Sequence, residues 1–468
     1  MKPYRPIIVS LALIITLAAC APFAPQKRGP EQDMVPVEYS NKAPQTEIRQ
    51  HWWEAFNDEQ LNGLVEEALA SNYSLQQSWA RLKQARALAV KSGADLFPDL
   101  SAEAAASTGR RRTANGHTTT ETVESYDLGL VSNYELDLWG RIRSQKEAAA
   151  LSAVASREDL NSAAMTLAAN VTIRWIGIIS QRMQKQLLER QLNANQTFSE
   201  LIELRFRKSL ASALDVFQQR QLVAQSRAQI PLVEQSERQL LNELALLLGR
   251  TPFEVPQIQS QALEIPDAVP ETGIPMQLLT ARPDIQAAMR RLEAADFNLA
   301  AAKADRLPSL SLTARAAYQA DELNLLFDNW LINLAANLTA PLVDGRRRRA
   351  EVDRLQAVVE ENLASYRQTI LTAVQEVEDA LVSEEKLQEH LDGLETQLDA
   401  AQHALSEARS RYRNGLSDYL PVLTQLLTVQ NLERTIIQRK ADLLISRVNL
   451  HRALGGTWAA ELKAQAIR

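Results

Sequence analysis

The sequence predicts a mainly helical fold that carries a small membrane β-part and is built from duplicated halves. Three observations lead there. Long stretches repeat apolar residues in steps of three and four, the helical period. Four shorter stretches alternate apolar and polar residues, the strand period. Landmarks also recur along the chain. Leu96-Phe97-Pro98-Asp99-Leu100 returns as Arg306-Leu307-Pro308-Ser309-Leu310, and Gly140-Arg141 as Gly345-Arg346. Arg205-Phe206-Arg207-Lys208-Ser209-Leu210 returns as Arg411-Tyr412-Arg413-Asn414-Gly415-Leu416, and Leu248-Gly249 as Leu454-Gly455. The offsets cluster at about 206 residues, far beyond a solenoid unit, so a whole domain is duplicated.

Of the 468 residues, 46% are hydrophobic and 23% charged, which excludes a disordered chain. The formal net charge of −6 argues against a nucleic-acid partner. Low aromatic content beside abundant Ala, Leu, Gln, Glu and Arg suits long helices.

The elements follow in order. Lys2 and Arg5 precede an apolar core from Ile7 to Leu17, too short to span a bilayer, so residues 1–19 read as a signal peptide. It ends in Leu17-Ala18-Ala19-Cys20, the sole cysteine, which rules out a disulfide within the chain. Small residues before a lone Cys resemble the lipobox of bacterial lipoproteins, which implies cleavage before Cys20 and its acylation. In that resemblance Ala21, where Asp would retain a protein at the inner membrane, favours the outer membrane. Residues 20–50, with Pro22, Pro25, Pro30, Pro36 and Pro44, read as an extended lipidated tether. Residues 51–74 open at His51-Trp52-Trp53 and hold a short helix.

The first repeat spans 75–250. It contains a helix stopped at Phe97-Pro98 and strands over about 99–107 and 122–138, separated by a polar loop. A long helix then runs from Arg141 to about Lys208, with Leu160, Ala164, Leu167, Val171, Trp175 and Ile178 on its apolar stripe. After a break at Ser209–Ser212, a second helix ends at Gly249, a plausible C-cap. Residues 251–280 form a Pro-rich linker. The second repeat, 281–456, has strands over about 309–318 and 330–342. In its long helix, Leu387, Leu391, Leu394, Leu398, Ala401, Leu405, Ala408 and Tyr412 step by four and three, a coiled-coil seam. Residues 457–468 are a tail. Beyond the N-terminus, no stretch approaches the ~20 apolar residues of a membrane helix.

The strands impose a condition. Along 126–138 the even positions are Tyr126, Leu128, Leu130, Ser132, Tyr134, Leu136 and Leu138, and the odd positions are polar or acidic. The other strands keep the same parity. Four strands cannot close a membrane barrel, which needs about eight, and an open edge in lipid leaves backbone groups unsatisfied. Membrane insertion therefore requires an oligomer. A dimer pools eight strands; a trimer pools twelve and leaves a lumen. The first long helix is about 100 Å in length, and the two shorter helices of its repeat together reach about 87 Å. They can flank it as one column. Twelve columns from three copies make a tunnel wall, not a solid bundle.

Four motifs span nearly the whole mature chain. They are Trp52-Trp53 with Phe56-Asn57-Asp58, Tyr134-Glu135-Leu136-Asp137-Leu138-Trp139-Gly140-Arg141, Ala281-Arg282-Pro283-Asp284-Ile285, and Arg411-Tyr412-Arg413-Asn414-Gly415. On these residues the chain resembles the TolC/OprM-type outer membrane factors, in particular the lipoprotein (NodT-like) branch that serves resistance-nodulation-division (RND) efflux systems. The resemblance implies a homotrimer with a 12-stranded barrel in the outer membrane of a Gram-negative bacterium. A long α-helical coiled-coil tunnel in the periplasm would continue it, with an equatorial belt drawn from 51–74 and 251–280. It implies the passive exit duct of a tripartite pump that exports drugs or other toxic small molecules. The partners would be a periplasmic adaptor (membrane fusion) protein, an inner-membrane RND-type pump and outer membrane lipid, with no cofactor. A type I protein-secretion duct shares this fold. A poreless periplasmic coiled-coil lipoprotein is a different class, against which the four in-phase strands speak.

The resemblance also assigns residues. The turns would be periplasmic tips that meet the adaptor through Ser209, Leu210, Ala211, Gly415, Leu416 and Ser417. The nearby charges Asp215, Arg411, Arg413 and Asp418 are expected to form the closing ring. The odd strand face carries Asp99, Glu103, Asp127, Glu135 and Asp137 against Arg315, which predicts a lumen of mild cation preference. Arg346–Arg349 would form a basic collar near lipid phosphates, and Arg110–Arg112 would lie in an external loop. His51, His117, His390, His403 and His451 are scattered without metal-ligand spacing. No phosphate loop or nucleophile elbow appears. Neither a metal site nor an enzyme is expected.

Overall fold

The computed structural model describes residues 22–25, 28–39, 51–115, 117–266, 275–456 and 458–462. The signal peptide and Cys20 lie outside the described residues, as do parts of the tether, linker and tail. The elements are α1 (Glu59–Ser71), α2 (Tyr73–Ala94), β1 (Asp99–Asn115), β2 (His117–Leu136), α3 (Arg141–Arg207), α4 (Ala213–Leu247), α5 (Leu278–Ala281), α6 (Pro283–Ala304), β3 (Ser309–Ala320), β4 (Trp330–Thr339), α7 (Arg347–Arg413) and α8 (Leu420–Leu454).

Local chemistry sets the ends of these elements. The Asp58 carboxylate accepts from the Leu61 N–H at 2.8 Å and so caps α1. α4 opens on a capping box, in which Ser212 Oγ accepts from the Asp215 N–H and Asp215 Oδ2 from the Ser212 N–H. α4 stops at Gly249 (φ +71°), where the Arg250 N–H reaches back to the Ala245 carbonyl at 2.9 Å. A Cβ on Gly249 would lie 2.6 Å from the Ser71 carbonyl oxygen, and one on Gly455 2.7 Å from that of Ala281. Both close approaches require glycine, and they fall at matching places in the two halves.

The chain divides into two compact units. One comprises Arg81–Arg157 and Ala287–Arg367 with the chain up to Pro30; the other comprises Glu31–Ala80, Glu158–Gln286 and Gln368–Arg468. Each takes equivalent pieces from both halves, so the duplication does not yield one domain per repeat.

In the first unit the described strands form one antiparallel sheet in the order β1-β2-β3-β4. Asp99 pairs with Asn133, Tyr126 with Ala320, and Ser309 with Thr339. Every pairing joins odd to odd and even to even, so residue parity defines a face across the whole sheet. Leu100, Leu128, Leu130, Leu312, Ile332, Leu334 and Leu338 share the even face and are exposed on it. β1 and β4 each leave one edge without a partner strand among the described residues.

The β1–β2 hairpin is longer than the sequence suggests. Residues 108–115 and 117–121 are strand, and Arg110, Arg111 and Arg112 pair with Thr122, Glu121 and Thr120. Arg110–Arg112 therefore lie in a strand and not in a loop. This ribbon has no apolar face, so its alternation is silent, yet its backbone is fully laddered.

In the second unit the predicted stripe of α3, Leu160 to Ile178, is buried throughout. An 18-residue window of α3 is apolar enough by composition to cross a bilayer, but 61% of it is buried inside the chain, which marks a core helix. The α7 seam is likewise confirmed. Leu391, Leu394, Ala401, Leu405, Ala408 and Tyr412 are buried with Val422, Leu426 and Val429 of α8, and Leu387 and Leu398 pack against them.

Candidate functional site

Two regions carry the predicted functional residues. The first is a pair of turns in the second unit. After α3, the Leu210 N–H bonds the Arg205 carbonyl at 2.8 Å and the Ser209 N–H bonds Phe206 at 2.9 Å. After α7, Leu416 bonds Arg411 at 2.9 Å and Gly415 bonds Tyr412 at 3.1 Å. These are the two bonds of a Schellman turn, repeated in the second half. Its left-handed position is Gly415 (φ +71°) in one turn and Ser209 (φ +59°) in the other. Leu210 and Leu416 are 63% and 69% exposed at equivalent places.

A cluster that sequence reasoning missed holds the turns together. The Arg205 guanidinium sits 4.6 Å from the Tyr412 ring centroid. Tyr412 lies 5.6 Å from Tyr419, which stacks on Phe198 at 6.1 Å. The Tyr419 hydroxyl donates to Gln219 Oε1, and Gln219 Nε2 donates to the Asn195 carbonyl at 2.7 Å. Burial, with Asp215 nearby, pushes the Tyr412 and Tyr419 hydroxyls upward, so both stay protonated. Further along, Gln430 Nε2 bonds Asn195 Oδ1 at 2.9 Å and Arg434 Nη1 bonds Gln191 Oε1 at 2.8 Å. This polar ladder joins α3 to α8 across the halves. Buried polar groups at heptad positions fix register. Gln184, Gln191 and Asn195 stand at heptad spacing in α3, which is the signal that could have revealed them.

The predicted ring charges separate. Asp215 is engaged in its capping box. Arg411, Arg413 and Asp418 are exposed. Arg413 acts on Arg409, whose pKa is lowered by burial first and by the Arg413 charge second.

The second region is the odd face of the sheet, which holds Asp99, Glu103, Asp127, Glu135 and Arg315. Arg315 Nη2 bonds Asp127 Oδ2 at 2.7 Å. Asp99 Oδ1 accepts from the Asn133 N–H at 2.7 Å, and Glu135 pairs with Arg141 at 2.7 Å. Asp137 is a correction. β2 ends at Leu136, and the Asp137 carboxylate turns to cap α3, accepting from the Ile142 and Arg143 N–H groups at 3.1 and 2.9 Å. The basic run is also partly spoken for: Arg348 bonds Asp305 and Asp344. Among the described residues, no group of three His, Cys, Asp or Glu is placed to hold a metal.

A family model described as outer membrane efflux protein matches residues 64–250 and 274–456, one segment for each half. The pyoverdine export outer membrane protein OpmQ of Pseudomonas aeruginosa is 35% identical over 426 residues, 89% of each chain. The toluene efflux pump outer membrane protein TtgF of Pseudomonas putida is 32% identical over 467 residues, 96% of each chain. Among solved structures, the outer-membrane channel OprN superposes with a TM-score of 0.88 at 29% identity, covering 93% of this chain and 99% of that one. VceC from Vibrio cholerae gives 0.81 at 28% identity, covering 87% and 99%. With both halves matched and the whole architecture shared, the chain belongs to the outer membrane efflux protein family and is an outer membrane efflux channel.

Proposed function

We propose that three copies of this chain close a twelve-stranded barrel and act as the passive exit duct of a tripartite pump. The observation that carries this is the in-phase sheet with two open edges. Its even face is apolar and exposed, its odd face is polar, and β1 and β4 each await a strand. Lipid requires that every backbone group be paired, so the edges must join between copies. Acylation of Cys20 anchors each copy.

The turn pair serves as the periplasmic tip. Ser209, Leu210, Ala211, Gly415, Leu416 and Ser417 meet the adaptor, which couples the duct to an inner-membrane RND-type pump. Arg411, Arg413 and Asp418 line the closing ring, with Asp215 fixed behind them by its cap. The cargo is a small organic compound, in keeping with relatives named for pyoverdine export and toluene efflux.

Deletion of the gene in its host, tested against a panel of antibiotics, solvents and siderophores, examines this directly. The expected result is several-fold greater sensitivity to a compound class, or retention of a siderophore, restored by the wild-type gene. An unchanged panel with loss of a secreted protein would replace this reading with protein export.

A further inference from the structure

We infer that α7 of one copy packs along α4 of a second copy, through a seam that lacks the polar ladder found inside the chain. This deepens the proposed assembly and rests on its being a ring of copies. In the second unit, α3 matches α7 and α4 matches α8 at the offset that relates the Leu210 and Leu416 turns. Matching faces of duplicated helices call for matching cover.

α3 is covered within the chain. Ile176 is fully buried, as are Met165, Ser180 and Gln184 around it, and the Gln184 amide donates to the Arg434 carbonyl of α8 at 2.7 Å. α7 is bare at the matching places. Leu371 and Val382 are 49% and 46% exposed, and Lys386 and His390 are exposed as well. A groove of about 420 Å³ opens there, with Val382, Lys386, Leu387 and His390 in its wall.

α8 and α4 show the complementary difference. On α8, Tyr419, Leu423 and Gln430 are buried and Arg434 is half-buried. Their counterparts on α4 are Ala213, Phe217, Ala224 and Ala228, all exposed. Their steps of four and seven make a heptad stripe. Where Leu423 is 8% exposed, Phe217 is 65% exposed.

One chain thus carries two bare faces, each the counterpart of a face that is covered. Since α8 lies on α3, the duplication places α4 on α7. The chain's own α4 bonds α3 instead, through Ser226 to Asn195 at 3.0 Å and Gln219 to the Asn195 carbonyl at 2.7 Å. The α4 that fills the α7 groove therefore comes from a second copy. Such a contact joins unlike faces and closes into a ring under rotational symmetry, leaving neither face bare.

The seam between copies differs from the one within the chain. Asn195, Tyr419, Gln430 and Arg434 of the ladder are matched by Ala401, Ala213, Ala224 and Ala228. Buried polar groups fix register. With alanine at these four places, the seam between copies is held by apolar contact and shape.

Cysteine cross-linking of the full protein in mild detergent tests the seam. Cys20 is the sole native cysteine, and the single variants report anything it contributes. His390→Cys/Ala228→Cys, treated with a short bifunctional methanethiosulfonate, should give covalent dimers and trimers on a denaturing gel, while each single variant stays monomeric. Gln184→Cys/Arg434→Cys, the matching pair, should link within the chain without raising the mass. Phe217→Glu/Val382→Glu should lower the trimer fraction by about tenfold or more, with the helical circular dichroism retained because both residues are exposed in the single chain. A trimer in which His390→Cys/Ala228→Cys links only within a chain, or fails to link while the matching pair does, overturns the seam. So does a trimer fraction that the double Glu variant leaves unchanged. Wild-type mass and conductance separate the two readings: a conducting trimer that fails these tests sinks only the seam, whereas a monomer without a pore sinks the duct as well.

Discussion

The Arg282 guanidinium donates to the Ala453 carbonyl at 2.9 Å, closing the end of α8 onto the start of α6. In the first half the Asn72 amide does the same for Leu247, also at 2.9 Å. The two halves thus solve one problem, a helix end that needs a donor, with different side chains. Arg282 carries more than Asn72. It forms a two-bond pair with Asp284 and reaches Glu376 at 2.8 Å, while only 8% exposed itself. Its charge is held up by those carboxylates against strong desolvation.

Arg282→Ala is therefore expected to destabilise the protein by about 3 kcal/mol, near the low end for a broken buried pair because Asp284 and Glu376 keep access to water. Arg282→Lys should recover little, since a single ammonium cannot reproduce the fork. Thermal unfolding in detergent measures both.

At the turns, Ser209 holds the left-handed conformation that Gly415 holds without strain. Ser209→Gly should raise stability by about 1 kcal/mol, and Gly415→Ser should lower it by a similar amount. Equal effects of the same sign would contradict the equivalence of the two turns.

His451 stacks on Trp52 with ring centroids 5.2 Å apart. Burial, aided by the charge of Arg447, lowers its pKa from 6.5 to about 4. The unfolded chain protonates this group near 6.5 while the folded chain does not. Between pH 6.5 and 4 the unfolded state binds more protons, so stability falls as pH drops through that window and levels off below it. The full effect is at most roughly 3 kcal/mol. In His451→Phe the fall in melting temperature from pH 7 to pH 4.5 should be visibly shallower than in wild type.

Parity on the sheet makes a paired prediction. Leu334→Arg places a charge on the even face and should cost about 2–4 kcal/mol in a membrane or abolish insertion. Asn333→Arg, one residue away on the odd face, should insert normally and weaken the cation preference of the pore. If both insert equally well, the even face does not meet lipid.

Much of this was legible in the sequence for physical reasons. Gly249 and Gly455 recur because a Cβ at either would strike a carbonyl oxygen, and the α7 heptads recur because a buried seam admits little else. Strand parity was readable wherever one face is apolar, as from Tyr126 to Leu136. It failed from Thr108 to Glu121, where both faces are polar and only backbone pairing defines the strand. Asp137 reads as a face residue by spacing, but the chain leaves the strand one residue earlier and a helix N-terminus claims its carboxylate. The Tyr412–Tyr419–Gln219 cluster joins residues about 200 positions apart, which no local period reports.

The mass of the detergent-purified particle, taken together with its conductance in a planar bilayer, tests the central claim most directly. The account predicts a trimer that opens cation-preferring channels. A monomer or dimer that conducts no ions would contradict it.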